Sequence, residues 1–110
     1  MNIQHKDLAG GRWDSFSLCE QMANVGSEVE RAIRWKEKGN AQYSQMAFER
    51  ALELLDLTVA DAKNKKRLKE LLRLRETLAD YFAFENVYQS SDRSLQKYFY
   101  AFNFAARKGL

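Results

Sequence analysis

The sequence predicts an all-α protein folded as an antiparallel up-down-up-down four-helix bundle. Three observations carry that prediction. The 110 residues contain no proline, so nothing obliges a helix to kink or stop. Apolar residues recur at intervals of three and four, the period of helices that bury one face. The breaks between these segments are short, and a short link cannot carry the chain to the far end of a helix, so consecutive helices pack as antiparallel neighbours. Residues 1–12, with Gly10 and Gly11 and no periodic apolar face, read as a flexible N-terminal tail, and residues 13–110 as the bundle domain.

The first helix is expected from about Asp14 to Lys38, with Asp14 or Ser15 as N-cap and Gly39 just past the C-terminus. Leu18, Met22, Val25, Val29, Ala32 and Ile33 form its apolar face. Acids in its first half and Arg31, Arg34, Lys36 and Lys38 in its last turns follow the polarity that the helix dipole favours. Asn40 is a natural N-cap for the second helix, which runs to about Ala62 with Ala41, Ser44, Phe48, Leu52, Leu55 and Val59 on one face. The third, from about Lys65 to Glu85, carries Leu68, Leu71, Leu72, Leu78, Ala79 and Phe82. After a connection at Asn86 to Ser91, the fourth is capped by Ser90, Ser91 or Asp92 and ends near Lys108, with Leu95, Tyr98, Phe99, Phe102, Ala105 and Ala106 inward. At ~1.5 Å per residue the first three helices would each be roughly 30 to 37 Å long, matched in length for one shared core.

Composition removes several classes of function. A net charge of +3 with 45% hydrophobic and 30% charged residues fits neither a disordered chain nor a strongly basic nucleic-acid wrapper. One cysteine, Cys19, and one histidine, His5, make neither an internal disulfide nor a Cys/His metal cluster. No cofactor is expected, because none of the five glycines stands in a phosphate-cradle spacing. A Ser/His/Asp or Cys/His site would depend on His5 in the tail. With no apolar leader and no apolar run of membrane-spanning length, the chain is expected in the reducing cytoplasm, without membrane contact. The run from Trp35 to Tyr43, with Ala51 to Asp56 after it, looks like pieces of a tetratricopeptide repeat, but the sequence lacks that repeat's roughly 34-residue period.

Four features exceed what a plain bundle needs. The second helix has another apolar line, Tyr43, Ala47, Leu54 and Leu57 with Met46 nearby. Either bundle neighbours and the tail cover it, or it forms the interface of an isologous homodimer. Arg75 projects into the middle of the third helix's apolar face, where a charge must be paired or snorkel out. A buried ion pair with Glu28, Glu30 or Asp56 is expected. From Lys63 to Arg75 there are seven basic residues against Glu70, a local charge of +6. That run is either a solvated, internally paired face or a surface for an acidic partner reached by Lys66, Lys69 and Arg73. On the fourth helix Arg93, Lys97, Tyr100, Phe104 and Arg107 share the outer face. Cations interleaved with aromatics fit a protein interface or stack bases while holding phosphates.

Arg93, followed by Ser-Leu-Gln-Lys and then Tyr98 and Tyr100, resembles the motif of the HEPN superfamily of small helical bundles, an Arg, four to six residues, then a His, with a Tyr two residues on. Members are dimers, often paired with minimal nucleotidyltransferases in toxin–antitoxin systems, and their Arg and His form a composite ribonuclease site. Here Tyr98 stands where the His would be, and a phenol with pKa about 10 is a poor proton exchanger near neutral pH. The resemblance therefore implies a non-catalytic, dimeric binding or regulatory module for a nucleotidyltransferase or RNA, with Arg93 and Tyr100 as binding residues. The alternatives are a HEPN-type ribonuclease, which needs Arg93 and Tyr98 or Tyr100 to converge across a dimer, and a purely structural dimeric scaffold.

Overall fold

A computed structural model describes residues 11–109. Four helices, α1 (Leu18–Glu37), α2 (Ala41–Ala60), α3 (Leu68–Ala83) and α4 (Asp92–Arg107), pack around one core, with 3-10 turns at Arg12–Ser15 and Ala62–Arg67 and no strand among the described residues. The all-α four-helix bundle is as expected. Residues 1–10, most of the expected tail, lie outside the described residues.

The first helix starts later than Asp14. Phe16 is extended, so Trp13 closes a separate turn and its ring meets that of Phe16 edge-on at 5.6 Å. Ser17 then opens α1 with a capping box. Its hydroxyl accepts from the Glu20 N–H at 3.1 Å, and the Glu20 carboxylate accepts from the Ser17 N–H at 2.9 Å. At the other end Gly39 takes φ +78°, the left-handed geometry of a C′ residue. The Asn40 side chain immediately caps α2 by accepting from the Tyr43 N–H at 3.0 Å. One three-residue link thereby turns the chain back on itself, which makes α1 and α2 close neighbours.

The corner between α2 and α3 is built from buried polar groups. Trp13, nearly fully buried, donates its indole N–H to Thr58 Oγ1 at 3.0 Å. Gln21 donates to the Trp13 carbonyl at 3.0 Å and to Asp61 Oδ2 at 2.8 Å, and accepts from Asn64 at 2.8 Å. Asn64 also donates to the Thr58 carbonyl at 2.9 Å, and Asp61 caps the 3-10 turn by accepting from the Lys63 N–H. Each buried group has a partner, so the network ties the N-terminal turn, α1 and the corner together without an orphaned dipole. The tight turn also delays α3 to Leu68, three residues after the expected start.

The core is Met22, Val25, Val29, Ala32 and Ile33 from α1, Ala47, Phe48, Ala51, Leu54 and Leu55 from α2, Leu71, Leu74 and Leu78 from α3, and Leu95 and Phe99 from α4, with Trp13 closing one end. Two expectations are corrected. The buried line of α3 is Leu71, Leu74 and Leu78, so Leu68 and Leu72 stand exposed. Ala47 and Leu54, expected at a dimer interface, are inside the core, because α2 is covered on both sides by its bundle neighbours. Helix α4 lies against α1 at Gly26, where a Cβ would sit 2.9 Å from the Cβ and ring of Phe99. Only a residue without a side chain allows that approach.

Candidate partner-binding surface

Helix α4 begins at Ser91, whose hydroxyl accepts from the Ser94 N–H at 3.0 Å while Ser94 Oγ accepts from the Ser91 N–H at 2.9 Å. Arg93, Lys97, Tyr100, Phe104 and Arg107 follow at steps of four, three, four and three, so they line one face over roughly 21 Å. All five are exposed, Tyr100 by 61% and Phe104 by 46%. None of the three cations in the line makes an ion pair with a described residue. Lys108 extends the pattern with its ammonium 5.6 Å from the Phe104 ring centre. Arg93 sits in the first turn, where the helix dipole disfavours a cation, so its place there does not serve the helix.

Between α1 and α4 lies an open groove of about 500 Å³. Its floor is Gly26 and Phe99, and Arg31, Arg34, Gln96, Asn103 and Tyr100 stand along its walls. Arg31 pairs with Glu28 at 3.2 Å, and Arg34 with Glu30 at 3.5 Å. Gln96 donates to Glu30 at 3.2 Å across the groove. Tyr100 belongs to both the groove and the outer line, which makes the two one continuous surface.

Tyr98 points elsewhere. Its hydroxyl donates to Glu70 Oε1 at 2.9 Å, and the Glu70 carboxylate is held in turn by Arg67 at 2.8 Å. Burial first, and then the Glu70 carboxylate, push the Tyr98 phenol well above its ordinary value. The Arg67 guanidinium keeps Glu70 below the usual carboxylate range against the opposing effect of burial. Five residues along a helix is about 140° of rotation, so Arg93 and Tyr98 diverge within one chain, whereas Arg93 and Tyr100 share a face. A second phenol, Tyr81, donates to Asp92 and accepts from Lys36 at 2.9 Å, and the Lys36 ammonium lies 4.2 Å from the Tyr81 ring centre. That cluster joins the ends of α1, α3 and α4.

Arg75 pairs with Asp56, one of its three expected partners, at 2.7 Å. The pair is not buried: the side chains are 41% and 48% exposed, because the α3 core face is centred on Leu74 and Leu78 and leaves Arg75 at its edge. Hydrogen bonding to Asp56 raises the guanidinium pKa further. In the basic run, Lys63 pairs with Asp61 and Arg67 with Glu70, while Lys65, Lys66, Lys69 and Arg73 are exposed without an ion pair to a described residue. On α2, Tyr43 is exposed and packs edge-on against Trp35 at 4.9 Å, and Leu57 is half-buried.

One surface had no forewarning in the helical pattern. The segment 84–91 exposes Phe84 by 74% and Val87 by 72%, with Tyr88 beside them. It is nevertheless tightly held. The buried Asp80 carboxylate accepts from the Val87 and Tyr88 N–H groups at 2.7 and 3.0 Å, and the Asn86 side chain both donates to and accepts from the Ser90 backbone. Asn86 and Gln89 both take left-handed conformations. The sequence marks this stretch only as a connection at Asn86 to Ser91, where Asn86, Ser90 and Ser91 are turn formers.

Among the described residues no group of three His, Cys, Asp or Glu side chains is placed to hold a metal ion, and no helix is long and apolar enough to cross a membrane. Compared with protein-family models, curated proteins and solved structures, the chain matches none.

Proposed function

We propose that this protein is a non-catalytic binding module that presents the outer face of α4 to an acidic partner protein. The observation that carries the reading is the exposed alternation of Arg93, Lys97, Tyr100, Phe104 and Arg107 on one rigid helix. Tyr and Arg are the residues most enriched among interface hot spots. Aromatic side chains on a preformed helix lose little freedom on binding, and the cations steer an acidic surface toward them. The tie of Tyr98 to Glu70 supports the absence of catalysis, since a phenol so engaged is a poor general base at neutral pH. A minimal nucleotidyltransferase, implied by the HEPN resemblance, is the first partner to test.

RNA is the competing ligand, favoured by Tyr100 lying beside Arg31 and Arg34 in the groove. Salt separates the two. Phosphate contacts release counterions, so RNA affinity would fall steeply and linearly on a log–log plot against salt. A protein interface anchored by Tyr100 and Phe104 would lose more from their alanine variants than from added salt. Purified protein is expected to leave single-stranded RNA intact; cleavage that disappears in Arg93→Ala would refute the non-catalytic reading.

A further inference from the structure

We infer that the segment after α3 is a docking surface for a basic, apolar segment of a second partner protein. Phe84, Val87 and Tyr88 border an open cavity of about 420 Å³ whose remaining walls are Glu76, Ala79 and Asp80. Phe84 and Val87 are the most exposed large apolar side chains among the described residues. Neither they nor Tyr88 belong to the core or pack against it. Contiguous apolar surface of this kind marks an interaction site in a soluble protein. The Asp80 hydrogen bonds to the Val87 and Tyr88 N–H groups fix the shape of the segment before anything binds, so little ordering cost remains for association.

Charge selects the occupant. From Glu76 to Asp92 there are four acids and no Lys or Arg, a local charge of −4 in a chain of +3. Two of the four are engaged within the fold, Asp80 by the two backbone N–H groups and Asp92 by the Tyr81 hydroxyl and, at 3.7 Å, the Lys36 ammonium. Glu76 and Glu85 stand exposed without an ion pair to a described residue. The Tyr88 hydroxyl reaches Glu76 Oε2 at 3.4 Å, which sets a carboxylate at the edge of an exposed ring. A guanidinium or ammonium lying there is attracted by the ring face and the carboxylate together. Apolar side chains beside that cation in the partner's sequence would cover Phe84 and Val87. A free small cation would leave both in water, so the occupant is a stretch of polypeptide. This surface is opposite in sign to the α4 line, so the acidic partner proposed for α4 is repelled here.

The full chain, isotope-labelled for NMR and titrated with the acetylated, amidated peptide Ala-Leu-Arg-Phe-Arg-Leu-Ala, tests the surface through backbone amide shifts. Saturable shifts centred on residues 84–88 are expected. Peptides with Glu for both Arg, or with Ala for the Leu and Phe residues, should each bind about tenfold more weakly or worse. Glu76→Lys combined with Glu85→Lys should reverse the preference between the Arg and Glu peptides, because the sign of the rim is then reversed. Phe84→Ser combined with Val87→Ser should weaken binding of the Arg peptide by a similar factor, with circular dichroism to confirm that each variant folds. The absence of a saturable shift up to about 5 mM peptide, or shifts centred on the α4 outer line, overturns the inference. So does a Glu peptide that binds the wild type as well as the Arg peptide. Sedimentation equilibrium showing a dimer that Phe84→Ser with Val87→Ser dissociates would overturn it too, since a second copy would then be the occupant.

Discussion

Replacing Gly26 with alanine separates close helix packing from ordinary helix chemistry. In an exposed helix interior that change stabilises by about 0.8 to 1 kcal/mol through propensity. Here the new Cβ would sit 2.9 Å from Phe99 Cβ, Cγ and Cδ1, where ordinary contacts begin at 3.4 Å. Rotating the ring does not remove the clash, since Phe99 Cβ is fixed to the α4 backbone, so α4 must retreat by about half an ångström. Leu95 and Phe99 are the two buried residues of α4, and both lose packing when it moves. Overpacking of this kind costs about 1 to 3 kcal/mol; after the propensity gain, a net loss of about 1 kcal/mol remains. In a domain of this size that lowers Tm by about 4 to 8 °C. Thermal and urea unfolding of Gly26→Ala beside Ser27→Ala, the exposed neighbour in the same turn, would measure it. Ser27→Ala should be neutral or slightly stabilising. A Gly26→Ala protein as stable as wild type, or more stable, would refute the close approach of α1 and α4.

Arg75→Ala should cost no more than about 1 kcal/mol in urea unfolding, the scale of a solvent-screened ion pair; a loss of about 3 kcal/mol or more would mean that the Asp56 pair is dry. Asp61→Asn replaces an acceptor facing the Gln21 amide and Lys63 ammonium with a donor, and should cost about 1.5 to 3 kcal/mol at pH 7. Burial alone would raise the Asp61 pKa, but hydrogen bonds from Lys63 and Gln21 hold it below its ordinary 3.8. Its contribution is therefore present above 3.8 and lost as pH falls through the lower folded value. The gap between wild type and Asp61→Asn, read from denaturant midpoints, should narrow in that acidic window; a gap independent of pH would show that the carboxylate charge is not what the network uses.

What was legible in the sequence is what periodicity and single-residue caps encode. Gly39 and Asn40 marked the α1–α2 turn because each acts through its own backbone or side chain. The Ser17–Glu20 capping box is equally local, yet a helix expected from Asp14 takes in Phe16, whose apolar character hides the extended residue between two turns. Rotation of α3 was harder to read: Leu68, Leu71, Leu72, Leu74 and Leu78 offer two overlapping faces, and only packing against α2 selects one. The same choice decided Arg75, correctly matched to Asp56 but exposed. The Gln21, Thr58, Asp61 and Asn64 network joins residues about forty positions apart and has no local signature. The outer line of α4 was readable because five exposed residues keep one helical phase, whereas the Phe84, Val87 and Tyr88 surface depends on a turn that Asp80, in the last turn of α3, holds through backbone N–H groups seven and eight residues on.

The proposal that α4 is the partner-binding face is tested most directly by the affinity of a purified partner for wild type and for an Arg93→Ala, Tyr100→Ala, Phe104→Ala combined variant, measured by titration calorimetry. The partner would come from affinity purification of the native complex. All three side chains are exposed, so the variant should unfold within about 0.5 kcal/mol per site of wild type. Hot-spot losses of about 2 kcal/mol at each of the two aromatic positions predict affinity reduced by about three orders of magnitude. An unchanged affinity in a folded variant would contradict the account.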